Sequence, residues 1–489
     1  MGPISRRDAL LLGGLGTAGI VAGGAGLWWT LGSRFTPVPG GEFIEPDGLR
    51  SSNGRLQIRL EASPGPVRLG GQQASALGYN EGVPGPTLRL RGGDVLAIEL
   101  VNSMGVPTNL HVHGLHVSPQ GNGDNVFNVV EPGRSFSYEY RLPADHPPGV
   151  YWYHPHHHGM VADQIFAGLF GAIIVEDAQP VDVSRERVMV VSDMTLDGSG
   201  TVADASPLDR MLGREGELVL VNGQSNPKLS ARPGERERWR IVNTCVARYL
   251  RLRLDGQQMQ LLGMDSGRFP TPGNADEVLL APGNRADVLV TAVVGDATLS
   301  AAYYNRGSMA AMMGPTGPAP NGGQGTGDLV LATLMVSGAP AASPPAVPAR
   351  PAAADLRTAA VAARRQLTLA VGGMGMGMGM GMMNFTINGR EFNANRTDTT
   401  VAAQTVEEWT LINPSPMDHP FHLHVWPMQI VEERGQTPGP PVWRDVVNIP
   451  ANGQVRVRIN FKDFTGRSVY HCHILDHEDR GMMGVIEVR

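Results

Sequence analysis

The fourteen histidines of this 489-residue chain are placed so unevenly that their positions constrain the fold: none lies between Gly159 and Asp418. Nearly all of them crowd into four short groups. These are His111-Val112-His113, His154-Pro155-His156-His157-His158, His419-Pro420-Phe421-His422-Leu423-His424, and His471-Cys472-His473 followed by His477. Solvated surface histidines would be scattered. Residues i and i+2 of a strand share a face, so each His-x-His unit offers two imidazoles side by side to one centre. A structural zinc site needs only four ligands. At least ten imidazoles from the two ends of the chain call for several metal ions held between its first and last parts.

The segments between the clusters read as strands. Leu56-Gln57-Ile58-Arg59-Leu60, Val95-Leu96-Ala97-Ile98-Glu99-Leu100 and Gln454-Val455-Arg456-Val457-Arg458-Ile459 alternate with a period of two. The 63 glycines and 38 prolines punctuate such runs, which predicts an all-β chain. At about 100–200 residues per domain the length predicts roughly three domains. An echo supports three copies of one β-sandwich: Leu100-Val101-Asn102, Ile241-Val242-Asn243 and Leu411-Ile412-Asn413 recur in similar surroundings. The boundaries fall at 1–39 for a leader, 40–178 and 179–336 for two domains, 337–365 for an Ala/Pro-rich linker and 366–489 for the third domain. Within the leader, Arg6-Arg7 stands before an apolar stretch and resembles a twin-arginine export signal; a membrane anchor with Trp28-Trp29 at the interface is the alternative. The export machinery would be a partner, and the body would work in the periplasm or elsewhere outside the cytoplasm. A net charge of -6 gives no footprint for nucleic acid.

His471-Cys472-His473 is the most informative tripeptide. On a strand Cys472 faces one way and both histidines the other, so the thiolate can bind one metal while its neighbours serve a different cluster. His477 follows five residues after Cys472, Met482 five after that, and His419 comes from a separate strand. Two His, one Cys and a weak axial Met form the blue-copper electron-transfer set.

In these four motifs and their order the chain resembles the multicopper oxidases, most of all the bacterial copper-efflux oxidases and bacterial laccases. The resemblance implies three cupredoxin-like Greek-key sandwiches and four copper ions. The type 1 copper would take His419, Cys472, His477 and Met482, and the type 2 copper His111 and His422. Two type 3 coppers would take His113, His154, His156, His424, His471 and His473, with His158 also allowed by strand parity. It implies one-electron oxidation of a small reductant, Cu(I) or a phenol, and four-electron reduction of O2 to water. Glu478 matches the family's acid on the proton route. Asp124 matches its acid near the cluster, a loop-capping role being the alternative. A non-catalytic exported copper-binding or envelope scaffold of the same fold is the rival reading.

Several residues stand outside that set. Met374, Met376, Met378, Met380 and Met382 alternate with glycine, and Met309, Met312 and Met313 form a second patch. Soft capture of Cu(I) and adaptable apolar packing both suit them. Asp418, beside His419, reads as a partner for a phenol or a site histidine, or as an exposed acid. Cys245 reads as a buried free thiol, and His116 and His146 as surface or loop histidines.

Overall fold

The computed structural model describes residues 35–307, 327–342, 344–372 and 383–489. The leader up to residue 34 and both methionine-rich stretches, which fall within 308–326 and 373–382, lie outside the described residues. Six sheets form three successive two-sheet sandwiches. In each, a strand ending in the echoed asparagine lies inside the first sheet, parallel to an earlier strand. Val95–Asn102 pairs with Arg55–Leu69, Arg236–Asn243 with Arg185–Met194, and Val406–Asn413 with Ala363–Gly372. The parallel pair within otherwise antiparallel sheets gives the Greek-key crossover of a cupredoxin-like sandwich.

The echo has a physical cause. Asn102, Asn243 and Asn413 are buried at the ends of their strands. Each accepts from a backbone N–H two residues on, in Met104, Cys245 and Ser415, and donates to carbonyls of the turn and of a neighbouring segment. An amide side chain supplies both donor and acceptor where the chain leaves the sheet, so all its buried polar groups are satisfied. Alternate residues of the same strands point into three separate apolar cores, anchored by Tyr138 and Tyr140, by Trp239, and by Trp409. A further cluster joins the first sandwich to the second through Trp152, Phe166, Val188 and Leu220.

The histidine strands lie in the second sheets of the first and third sandwiches. His111–His113 pairs antiparallel with Gly149–His154, setting His111 opposite His154. His419–Leu423 pairs antiparallel with Gly466–Cys472, setting His422 opposite His471 and Phe421 opposite Cys472. Since faces alternate, one register assigns His422, His424, His471 and His473 to one side, and His419 and Cys472 to the other. The 337–365 stretch is tied to what it crosses: Arg350 N donates to Pro270 O, and Trp443 Nε1 donates to Ala354 O.

Candidate metal centres

Two centres result, joined by the single tripeptide His471-Cys472-His473. The larger is a cage of eight buried imidazoles, His111, His113, His154 and His156 from the first sandwich and His422, His424, His471 and His473 from the third. His111 stacks on His424 and His113 on His422, both with ring centroids 3.8 Å apart. The Nε2 atoms of His156 and His424 lie 3.1 and 3.2 Å from His471 Nε2, and His154 Nε2 is 3.5 Å from His113 Nδ1. His158 is half-buried against Phe392 and outside the cage, so of the two positions strand parity allowed, the structure brings in His156.

The outer nitrogens are held by partners that set which nitrogen faces inward. His111 Nδ1–H donates to Asp124 at 2.9 Å, His154 Nδ1–H to Pro155 O at 2.8 Å, His422 Nδ1–H to Asp445 O at 2.8 Å, and His113 Nε2–H to Asp445 Oδ1 at 3.1 Å. What remains fits a cation. His111 Nε2, His422 Nε2 and both nitrogens of His473 are buried with no hydrogen-bond partner. Burial pushes every cage imidazole down, to about 3 for His154 and about 4 for His422, so all stand neutral with lone pairs available. Each buried unsatisfied polar group costs about 1–3 kcal/mol, which metal ligation would offset. Cu or Zn suits imidazole, and neutral imidazole is the ligating form.

Two acids flank the cage. Glu478 has both carboxyl oxygens buried without a hydrogen bond, Oε2 lying 3.2 Å from His471 Nδ1 and Oε1 3.7 Å from His156 Nδ1. Desolvation, helped by the Asp479 charge, holds its pKa well above the usual carboxyl range. Asp124 is buried between His111 and His424, accepts from Val112 N, and is pushed up to about 8 by burial.

The smaller centre lies in the core of the third sandwich. Cys472 Sγ is 3.3 Å from His419 Nδ1 and 3.9 Å from His477 Nδ1, all fully buried. Each imidazole is held by its far nitrogen: His419 Nε2–H donates to Ser415 Oγ at 2.9 Å and His477 Nε2–H to Met211 O at 3.1 Å. Ile474 N donates to the sulfur at 3.4 Å. Met482 is buried in the same core, its carbonyl accepting from Cys472 N and its N–H donating to His477 O. Burial pushes the thiol's pKa up, so this sulfur becomes a thiolate only beside a cation. Soft thiolate with two imidazoles suits copper.

Other singled-out residues lie outside the two centres. His146 is in a loop but buried, Nδ1–H donating to Pro147 O and Nε2 accepting from His116 N; His116 is half-buried and bonded to Val425 O and Asp463. Neither joins a centre. Asp418 is buried rather than exposed, because Tyr304 OH, Asn448 Nδ2 and Ala451 N already fill its carboxylate at 2.7–2.9 Å. Cys245 is a buried free thiol. The sequence reading missed Asp445, which is held bidentately by Arg285 at 2.6 and 2.7 Å. Arg285 also donates to Val150 O, so one side chain of the middle sandwich ties the other two together beneath the cage. Gly283, at φ +85°, lets the same loop approach: a Cβ there would lie 2.8 Å from His473 Nε2.

Family models described as multicopper oxidase match residues 62–180, 184–330 and 366–489. The multicopper oxidase mco of Staphylococcus haemolyticus is 28% identical over 463 residues, covering 91% of this chain and 92% of that relative. The cell division protein FtsP of Proteus mirabilis is 25% identical over 484 residues, covering 95% and 97%. The solved structure of a multicopper oxidase from Campylobacter jejuni, described as a metallo-oxidase, superposes with a TM-score of 0.80 at 30% identity and covers 92% of this chain and 96% of that one.

Proposed function

This chain belongs to the multicopper oxidase family, and from that premise we propose that it oxidises Cu(I) one electron at a time at the Cys472 pocket and reduces O2 to water at the histidine cage. The observation that carries this reading is the shared tripeptide: Cys472 lies in one centre while His471 and His473 line the other. In the proposal His419, Cys472, His477 and Met482 hold a type 1 copper, and His111 and His422 a type 2 copper. His113, His154 and His473 hold one type 3 copper, and His156, His424 and His471 the other. Copper, when bound, supplies one-electron redox chemistry at the thiolate site and dioxygen reduction at the cage.

The chain's own residues do the rest. The backbone of 471–473 gives a short covalent route between the centres. Oxygen reduction consumes protons, and Glu478, kept protonated by burial, holds one at its carboxyl oxygens beside His471 and His156. Asp124 fixes the His111 tautomer and holds a second acidic group at the opposite edge.

The donor is argued from position. Gly372 and Asn384, on either side of the methionine-glycine run, are paired across two antiparallel strands. The next residue, Phe385, stacks on His477 with centroids 4.4 Å apart. The described strand that follows the run thus passes beside the electron-entry ligand, and thioethers, in which the run is rich, select Cu(I). Deleting residues 374–382 should lower Cu(I) oxidation several-fold and spare the oxidation of a bulky phenol; equal loss of both would reject the cuprous reading. Export by the Arg6-Arg7 leader belongs to the same proposal, and cell fractionation tests it.

The likeness to a relative named as a cell division protein favours a second reading, a non-catalytic exported copper-binding or envelope scaffold of the same fold. Copper-loaded protein decides between them. An intense thiolate-to-copper band with oxygen uptake on adding Cu(I) supports the oxidase, whereas colourless protein supports the scaffold.

A further inference from the structure

A buried cation stands beside the Cys472 pocket. Arg306 of the middle sandwich is only 8% exposed. Its Nη2–H donates to Gly213 O at 2.9 Å and its Nε–H to Glu215 Oε1 at 3.2 Å, and Nη1 is buried with no hydrogen-bond partner among the described residues. Three links tie Arg306, and the segment it bonds, to the pocket. Its own carbonyl accepts from Asp418 N, next to His419, at 2.7 Å. Gly213 presses on Ile474, whose N–H donates to Cys472 Sγ; a Cβ at Gly213 would lie 2.5 Å from Ile474 Cγ2 and 3.4 Å from Arg306 Nη1. Two residues before Gly213, Met211 O accepts from His477. The segment that holds the guanidinium is thus the one that meets Ile474 and His477 at the edge of the pocket.

Among the described residues, the carboxylate that pairs with Arg306 is Glu215. Glu215 is shared with Arg248, which also pairs with Asp193. The Asp418 carboxylate is occupied by Tyr304, Asn448 and Ala451 N. A second cation, Arg480, lies over the Phe385 ring that stacks on His477. In a water-poor interior a fixed positive charge acts at longer range than at the surface. It opposes the more highly charged state of a neighbouring metal and so favours the reduced one.

We infer that Arg306 is a positioning residue of the electron-entry centre, whose buried guanidinium raises the reduction potential of the metal held by His419, Cys472 and His477. The inference rests on the proposed type 1 assignment. A higher potential draws electrons more strongly from the reductant.

The test is a spectroelectrochemical titration of copper-loaded full-length protein, following the thiolate band. Arg306→Met should shift the balance between the two oxidation states by about tenfold toward the oxidised one, a fall of 59 mV for one electron. Arg306→Lys should stay near wild type. Glu215→Gln, which removes the compensating carboxylate, should move the potential upward. In metal-free protein, Arg306→Met should also tighten Co(II) at Cys472 relative to Ag(I). A normal band with an unmoved potential in Arg306→Met overturns the role of Arg306. If that variant fails to fold, a Glu215→Gln potential that does not rise overturns it instead. Wild-type protein without a thiolate band would reject the type 1 assignment itself, which separates the two failures.

Discussion

The two centres share three consecutive residues yet are built in opposite ways. His419, Cys472 and His477 all come from one sandwich, in a core that Met211, Leu212 and Ala247 of the middle sandwich complete. The cage takes four imidazoles from each of two sandwiches and exists only where those sandwiches dock. The entry centre thus draws its ligands from one domain, and the cage draws its ligands from two. Cys472→Ser breaks the comparison most sharply. It should abolish both the thiolate band and turnover while leaving metal bound at the cage, as metal analysis per chain would show. Full activity in that variant would reject electron entry through Cys472.

Arg285→Met attacks the other side. Asp445 would remain buried without its bidentate partner, while still fixing His113 and His422. Breaking a buried pair by removing one member costs about 3–5 kcal/mol. Because Arg285 also holds Val150 of the first sandwich, that loss falls at the docking surface. Chemical unfolding should show the destabilisation, and copper loading should show a depleted cage beside a coloured Cys472 pocket. Equal depletion of both centres would mean that they do not assemble separately.

The same contrast explains what the sequence could reveal. Alternation along a strand is local, so the faces of His471, Cys472 and His473 were legible from position alone, as was the sandwich repeat marked by its three asparagines. The choice between His156 and His158 was not, because the chain leaves the strand after His154 and parity stops applying. Arg285 and Asp445 carry no periodic signal, and Arg285 lies more than a hundred residues from both Asp445 and Val150. A charged residue opening the apolar strand Arg285–Thr291 was the available clue. His146 is a loop histidine as expected, but its burial depends on a contact with His116 that no run of residues announces.

Glu478→Gln refines the comparison without dismantling either centre. The amide keeps the volume beside His471 and His156 but cannot release a proton. Oxygen uptake should fall by about a hundredfold, the lower end of what a positioned acid contributes. The thiolate band and its reduction by Cu(I) should remain, so the loss would appear only in the oxygen-consuming half of the cycle. A variant slowed equally in colour bleaching by Cu(I) would place Glu478 on the entry side instead.

His146 gives the smallest and cleanest test, since it is buried like the cage histidines yet belongs to neither centre. Burial pushes it down to about 4, against about 6.5 in an unfolded chain. The folded form therefore holds this ring neutral where the unfolded form takes up a proton. Its contribution to stability is complete above about pH 6.5 and is lost as the pH falls toward 4, at up to about 1.4 kcal/mol per pH unit. His146→Gln keeps a donor and an acceptor for Pro147 O and His116 N but does not titrate. Denaturant unfolding of metal-free protein across that window should show a shallower acid slope in the variant. The remaining slope belongs chiefly to the cage, where eight neutral imidazoles are held by the same desolvation. Identical slopes would mean that His146 opens to solvent before the domains separate.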